Sequence, residues 1–102
     1  MKEIIKTLQQ FRHDRNWEQH HTPKNLAMSI AIEAAELMEC YQWTDPNGNG
    51  HGEKMMISIA DEAADVFIYL LNFCDVTGID LLEVTRMKMQ KNAEKYPAKK
   101  SR

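Results

Sequence analysis

Nine residues, TDPNGNGHG at 44–52, separate two long segments of helical pattern, and they narrow the folds open to this 102-residue chain more than any other feature. A proline, two asparagines and three glycines in nine positions exclude a continuous helix or strand and predict a turn. Thr22 as N-cap, with Pro23 at the first helical position, opens the segment before it, which is predicted to run to about Trp43. The segment after it is predicted to run from about Glu53 to Val76, closed by Gly78 as a C-cap. A turn this short makes the two helices an antiparallel pair. Upstream, Ile4, Ile5, Leu8 and Phe11 at helical spacing predict a helix over 2–13, and DRNWEQHHT reads as a connection. Downstream, Asp80 with Glu83 makes a capping-box-like start for LLEVTRMKMQKNAEKY, which Pro97 stops. Strand signals are weak throughout. The expected fold is all-α, four-helix bundle-like, with one domain over 1–97 and a mobile basic tail over 98–102.

The hairpin carries an unusual charge pattern. At about 100° per residue, Ala27, Ile30, Ala34, Leu37 and Tyr41 form one stripe, and Met56, Ile59, Ala63, Val66, Leu70 and Phe73 form another. Both are expected to face the core. Glu33 and Glu62 each lie about 60° to one side of their stripe, and Glu36 and Asp65 lie about 120° to that same side. The two-fold relation of an antiparallel pair keeps that side common to both helices. Gly48, near the centre of the turn, is about equally far along the chain from both pairs, so ExxE and ExxD are expected at one height. Like charges so close repel unless a cation lies among them. Each pair alone is read most simply as a solvated acidic face. Two pairs matched in phase and height are read as a cation site, and all-oxygen ligation selects Mg²⁺, with Mn²⁺ as an alternative.

The net charge of −2 conceals an asymmetry. Residues 33–65 hold eight acids and one base, and the remainder holds 12 bases and seven acids. An acidic centre between basic ends suits a cation together with a polyanion. It does not suit duplex nucleic acid, which calls for a continuous basic face. No run reaches the ~18–20 apolar residues of a membrane span, and MKEIIKTLQQ lacks the apolar segment of a signal peptide, so a cytoplasmic protein is expected. Cys40 and Cys74 lie in helical patterns without metal-type spacing and are expected as free thiols.

With these residues in hand, the chain resembles the all-α MazG-like nucleotide pyrophosphohydrolases. EAAEL around Glu33 and Glu36, and DEAADVFIYLL around Glu62 and Asp65, carry the core of the resemblance. WEQHHTPKNLA, ECYQW, Tyr69 four residues after Asp65, and MKMQKNAEKYP extend it over nearly the whole chain, toward the small dCTP-pyrophosphatase-like branch. One position departs: many members have a further Glu where this chain has Ile32. The resemblance implies hydrolysis of a (deoxy)nucleoside triphosphate between the α and β phosphates, in the service of nucleotide-pool house-cleaning. It also implies a homo-oligomer, dimer or tetramer, and apolar residues off the main stripes, such as Met28, Ile32, Leu81 and Leu82, point the same way. Glu33, Glu36, Glu62 and Asp65 become metal ligands, with Glu33 or Glu36 as general base. Lys88 and Asn92 match positions that contact phosphates. By residue type alone Trp17 and Trp43 cover the edge of the core; the resemblance makes them base-stacking residues, with Tyr69 and Phe11 as weaker candidates for the same pocket. His21 and Lys24, beside Pro23, are candidates to meet the nucleotide.

Rival readings fit less well. His13-Asp14 lacks the upstream histidine of an HD phosphohydrolase, and Glu18-x-x-His21 is a single motif where a di-iron bundle uses two. No glycine-rich phosphate loop is present. The remaining alternatives are a pyrophosphohydrolase for another substrate, such as phosphoribosyl-ATP, and a helical interaction module with an acidic face.

Overall fold

The computed structural model describes residues 1–99; residues 100–102, the end of the basic tail, lie outside the described residues. The chain is all-helical, with α1 at Lys2–Asp14, α2 at Pro23–Glu39, α3 at Gly52–Thr77 and α4 at Leu81–Lys95. A single 3₁₀ turn, Glu18–His20, lies within the connection after α1. The expected caps operate. Thr22 Oγ1 accepts from the Asn25 N–H at 3.1 Å, and Asp80 Oδ1 accepts from the Glu83 N–H at 3.2 Å. Gly78 closes α3 at φ 76°, a left-handed conformation that a Cβ disfavours, and the Ile79 N–H returns to the Cys74 carbonyl.

α2 ends at Glu39, four residues short of Trp43. The N–H groups of Cys40, Tyr41 and Gln42 bond three residues back, a tighter winding than the α-helix sustains. Asp45 organises the turn that follows, its Oδ1 accepting from the Asn47 and Asn49 N–H groups at 2.9 and 2.8 Å. The asparagines and glycines thus act through an Asx turn that reverses the chain.

α2 and α3 form the main packed interface, and α1 lies against α3. The line of contact differs from the expected stripes. Ile59 is buried and Ile30, Leu37, Val66, Leu70 and Phe73 are half-buried, but Ala27, Ala34, Tyr41, Met56 and Ala63 are exposed. The helices meet along a line turned toward the acidic residues, which leaves Glu33, Glu36, Glu62 and Asp65 half-buried. The opposite flank, with Ala27, Ala31, Ala34 and Met38 on α2 and Met56, Ala60, Ala63 and Phe67 on α3, is apolar and open.

α4 packs on no other helix to a comparable extent. Leu81 is half-buried and every other residue of α4 is exposed. A four-helix bundle is therefore not completed within one chain, because its fourth member projects from a body made of α1, α2 and α3. The radius of gyration, 17.4 Å, reflects this; a compact domain of this length has ~13 Å. Cys40 and Cys74 are free thiols, and no described helix is long and apolar enough to cross a membrane.

Candidate metal and nucleotide site

The hairpin brings acids 29 residues apart in sequence onto one spot. Carboxylate oxygens of Glu33, Glu62 and Asp65 all lie within 4.8 Å of one another. Oε2 of Glu33 and Oε2 of Glu62 are buried without a hydrogen-bond partner. Among the described residues no lysine or arginine forms an ion pair with them. Burial, then the adjacent Glu36 carboxyl, then the charges of Asp65 and Glu62 push Glu33 up to about 7. Glu62 is raised by burial, by Glu36 and by the charges of Asp65 and Asp61. Burial and the same acids raise the Tyr69 phenol. Every charge named acting on this cluster is negative, so each acid makes its neighbours harder to ionise.

Such a set fits a divalent cation. Orphaned carboxylate oxygens with no donor nearby are costly, and three hard oxygen donors match Mg²⁺ or Mn²⁺.

Asp65 also faces a second feature, a cavity of about 300 Å³ between α1, α3 and the connection after α1. Its walls include Phe11, Arg12, Trp17, His21, Tyr69 and Asn72. The connection shapes it. Asn16 takes a positive φ of 56°, and the Trp17 N–H bonds the Arg12 carbonyl at 3.0 Å, turning the indole back along α1. There Trp17 meets Phe11 edge-on, with ring centroids 5.4 Å apart, and lies 5.8 Å from the His21 ring. Burial, reinforced by the charges of Arg12 and His20, lowers the His21 pKa, so its imidazole is neutral at pH 7. Aromatic walls beside an acidic cluster can hold a flat ring and a cation-bound anion side by side.

The structure thus gathers Trp17, His21, Tyr69 and Asp65 at one cavity, and Glu33, Glu62 and Asp65 at one cluster with Glu36 adjacent. It does not bring the other expected residues there. Lys24 is exposed in the first turn of α2, and Trp43, in the turn after α2, is 89% exposed. Lys88 and Asn92 lie exposed on α4 and line no part of the cavity.

Two polar wall residues are not among those expected from the sequence, Arg12 and Asn72, and both are buried. Signals for them exist. Asn72 follows Asp65 and Tyr69 at helical spacing, and Arg12 continues the line of Ile5 and Leu8, which are half-buried on α1.

Comparison with known proteins supplies the family. Over 105 aligned residues the chain is 32% identical to dCTP pyrophosphatase 1 of Mus musculus, covering all of this chain and 62% of that protein. It is 32% identical to dCTP pyrophosphatase 1 of Homo sapiens, covering 96% of this chain and 59% of that protein. The chain therefore spans about three fifths of the length of these relatives. A crystal structure of a pyrophosphatase from Archaeoglobus fulgidus superposes with a TM-score of 0.89 at 46% identity, covering 96% of this chain and 93% of that one. Residues 28–102 match the profile of the MazG-like family, and the chain belongs to that family.

Proposed function

We propose that this protein hydrolyses a nucleoside triphosphate to the monophosphate and pyrophosphate, with Mg²⁺ or Mn²⁺ held by Glu33, Glu62 and Asp65 and with Glu36 beside them. The observation that carries the reading is the double placement of Asp65, in the orphaned carboxylate cluster and in the wall of an aromatic cavity. The names of the relatives support the reaction class. When bound, the cation supplies charge neutralisation for phosphate oxygens and a more acidic water.

The chain's own residues do the rest. Trp17 and Tyr69, with Phe11 beside them, hold the base. Glu36, adjacent to Glu33 and Glu62 but outside the three-oxygen cluster, accepts the proton of the attacking water; Glu33 is the alternative base. An O–P bond forms at the α-phosphorus, the bond from the α-phosphorus to the bridging oxygen breaks, and pyrophosphate leaves with that oxygen. His21 lies at the cavity beside the base. Lys24 and Trp43, exposed in the single chain, serve the substrate at the margin, and Lys88 and Asn92 hold the distal phosphates.

The working form is a homo-oligomer, dimer or tetramer. Its support is the open apolar flank of α2 and α3 and the unpacked α4, which a second copy would cover. The activity suits house-cleaning of the nucleotide pool. Incubating a panel of nucleotides, phosphoribosyl-ATP included, with Mg²⁺ or Mn²⁺ and resolving the products by chromatography tests the reading. A monophosphate with pyrophosphate is expected. No turnover of any nucleotide would favour the acidic-face interaction module instead.

A further inference from the structure

We propose that Asp75 is a positioning residue for the reaction, which acts through Arg12 to hold the end of α1, and with it Trp17, against the face of α3 that carries Asp65; this rests on the nucleotide reading of the cavity. Asp75 lines no part of the aromatic cavity and lies outside the carboxylate cluster. It opens instead on a separate, mostly apolar cavity of about 340 Å³ at the start of α1, the end of α3 and the start of α4, with Ile5, Leu71, Cys74 and Leu82 among its walls. Whatever Asp75 does for the site therefore passes through the groups it holds. Both of its oxygens go to α1: Oδ2 lies 2.6 Å from Arg12 Nη2, and Oδ1 accepts from Gln9 Nε2 at 2.9 Å. Nη1 of Arg12 donates to Oδ1 of the buried Asn72, so α3 grips the guanidinium from two positions.

Arg12 acts at both of its ends. Its side chain joins α3, and its carbonyl terminates α1. The Trp17 N–H returns to the Arg12 carbonyl at 3.0 Å and the Asn16 N–H to the His13 carbonyl at 3.2 Å, with Asn16 at φ 56°. This is a Schellman ending, in which the residue after the left-handed position folds back on the last turn of its helix. Trp17 meets Phe11 there. The indole is thus fixed to α1, and its place relative to Asp65 and Tyr69 on α3 depends on how α1 docks. Few other groups dock it. Arg12 is the one buried residue of α1, with Leu8 and Ile5 half-buried one and two turns back. Glu33, Glu62 and Asp65, by contrast, stand on α2 and α3, which pack on each other directly. Loss of Asp75 therefore loosens the aromatic wall and leaves the cation cluster whole. A wall that holds substrate and transition state alike enters KM and not kcat.

The test follows dCTP hydrolysis with Mg²⁺, and acrylamide quenching of Trp17 fluorescence, in wild type, Asp75→Ala, Asp75→Asn and Gly78→Ala. Quenching is read in a Trp43→Phe background, because Trp43 is 89% exposed and would dominate the signal. Asp75→Ala should raise KM about tenfold, the worth of one charge-assisted hydrogen bond, with kcat within about twofold and Mn²⁺ affinity unchanged. Trp17 is 40% exposed when docked and should become about twice as accessible to acrylamide. Asp75→Asn should move both readings less, since its amide oxygen still accepts from Arg12, and it carries the test if the alanine variant does not fold. Gly78→Ala is the structural control. A Cβ there meets nothing within 4 Å and weakens the fold through strain at φ 76° alone, so KM and quenching should stay as in wild type. Unchanged quenching in Asp75→Ala, a fall in kcat at constant KM, or an equal change in Gly78→Ala would overturn the inference. A wild type that turns over no triphosphate would sink the proposed reaction, whereas doubled quenching in Asp75→Ala would still uphold the placement of Trp17 by Asp75.

Discussion

Glu33 concentrates the physics of the site in one residue. An acid whose folded-state pKa lies above its unfolded value holds its proton more tightly when folded. Its contribution to stability is therefore complete below the ordinary value of 4.5 and is lost as the pH rises through about 7. His21, whose pKa is lowered, acts in the opposite sense, its contribution being complete above the ordinary value of 6.5 and lost as the pH falls below it, so the Glu33 effect has to be read as a difference between variants. Without metal, Glu33→Gln should gain in melting temperature relative to wild type as the pH is raised from 5 to 8, because the amide avoids ionising among acids. Saturating Mn²⁺ should stabilise wild type at pH 8 and have little effect on Glu33→Gln. A pH-independent difference between the two proteins would show that Glu33 is solvated and uninvolved. The carboxylates were legible in the sequence because helical phase places residues three and four apart on one face. Asn72 shares that face but carries no charge to draw notice.

At the scale of elements, the helix ends were the most legible part of the fold, since Thr22–Pro23, Gly78 and Asp80 each act through bonds within a few residues. What depends on distant partners was not legible. Arg12 looks like one more surface base of α1 until α3 supplies Asn72 and Asp75, 60 and 63 residues further on, and shuts it from solvent. Likewise, the apolar pattern of α2 and α3 pointed Ala27, Ala34, Met56 and Ala63 at the core, and the packing of the hairpin leaves them on its open flank. The Arg12 clamp is the charged link between α1 and α3, and it also shapes a cavity wall. Arg12→Ala should accordingly cost about 3 kcal/mol, because it strands Asp75 and Asn72 without their donor. Urea unfolding followed by circular dichroism measures this. A loss under about 0.5 kcal/mol, the range of an ordinary surface change, would mean the clamp contributes no net stability.

For the whole molecule, the open flank and the projecting α4 are the support for the proposed homo-oligomer. An exposed surface bearing Met38, Met56 and Phe67 in a body this small is better covered than wet. Light scattering at micromolar concentration should give the mass of a dimer or tetramer, and Phe67→Glu should shift it toward one chain while helicity is kept. A single-chain mass for wild type would contradict this. It would also leave Lys88 and Asn92 without a route to the phosphates, since both lie exposed on α4 and line no part of the cavity. The claim that joins these scales is that the carboxylate cluster directs water to the α-phosphorus of a nucleoside triphosphate held in the neighbouring cavity. Hydrolysis of a deoxynucleoside triphosphate in ¹⁸O-labelled water with Mg²⁺, followed by mass spectrometry of the products, tests it most directly: the label is predicted in the monophosphate beside unlabelled pyrophosphate, whereas labelled orthophosphate released with a diphosphate would contradict the account.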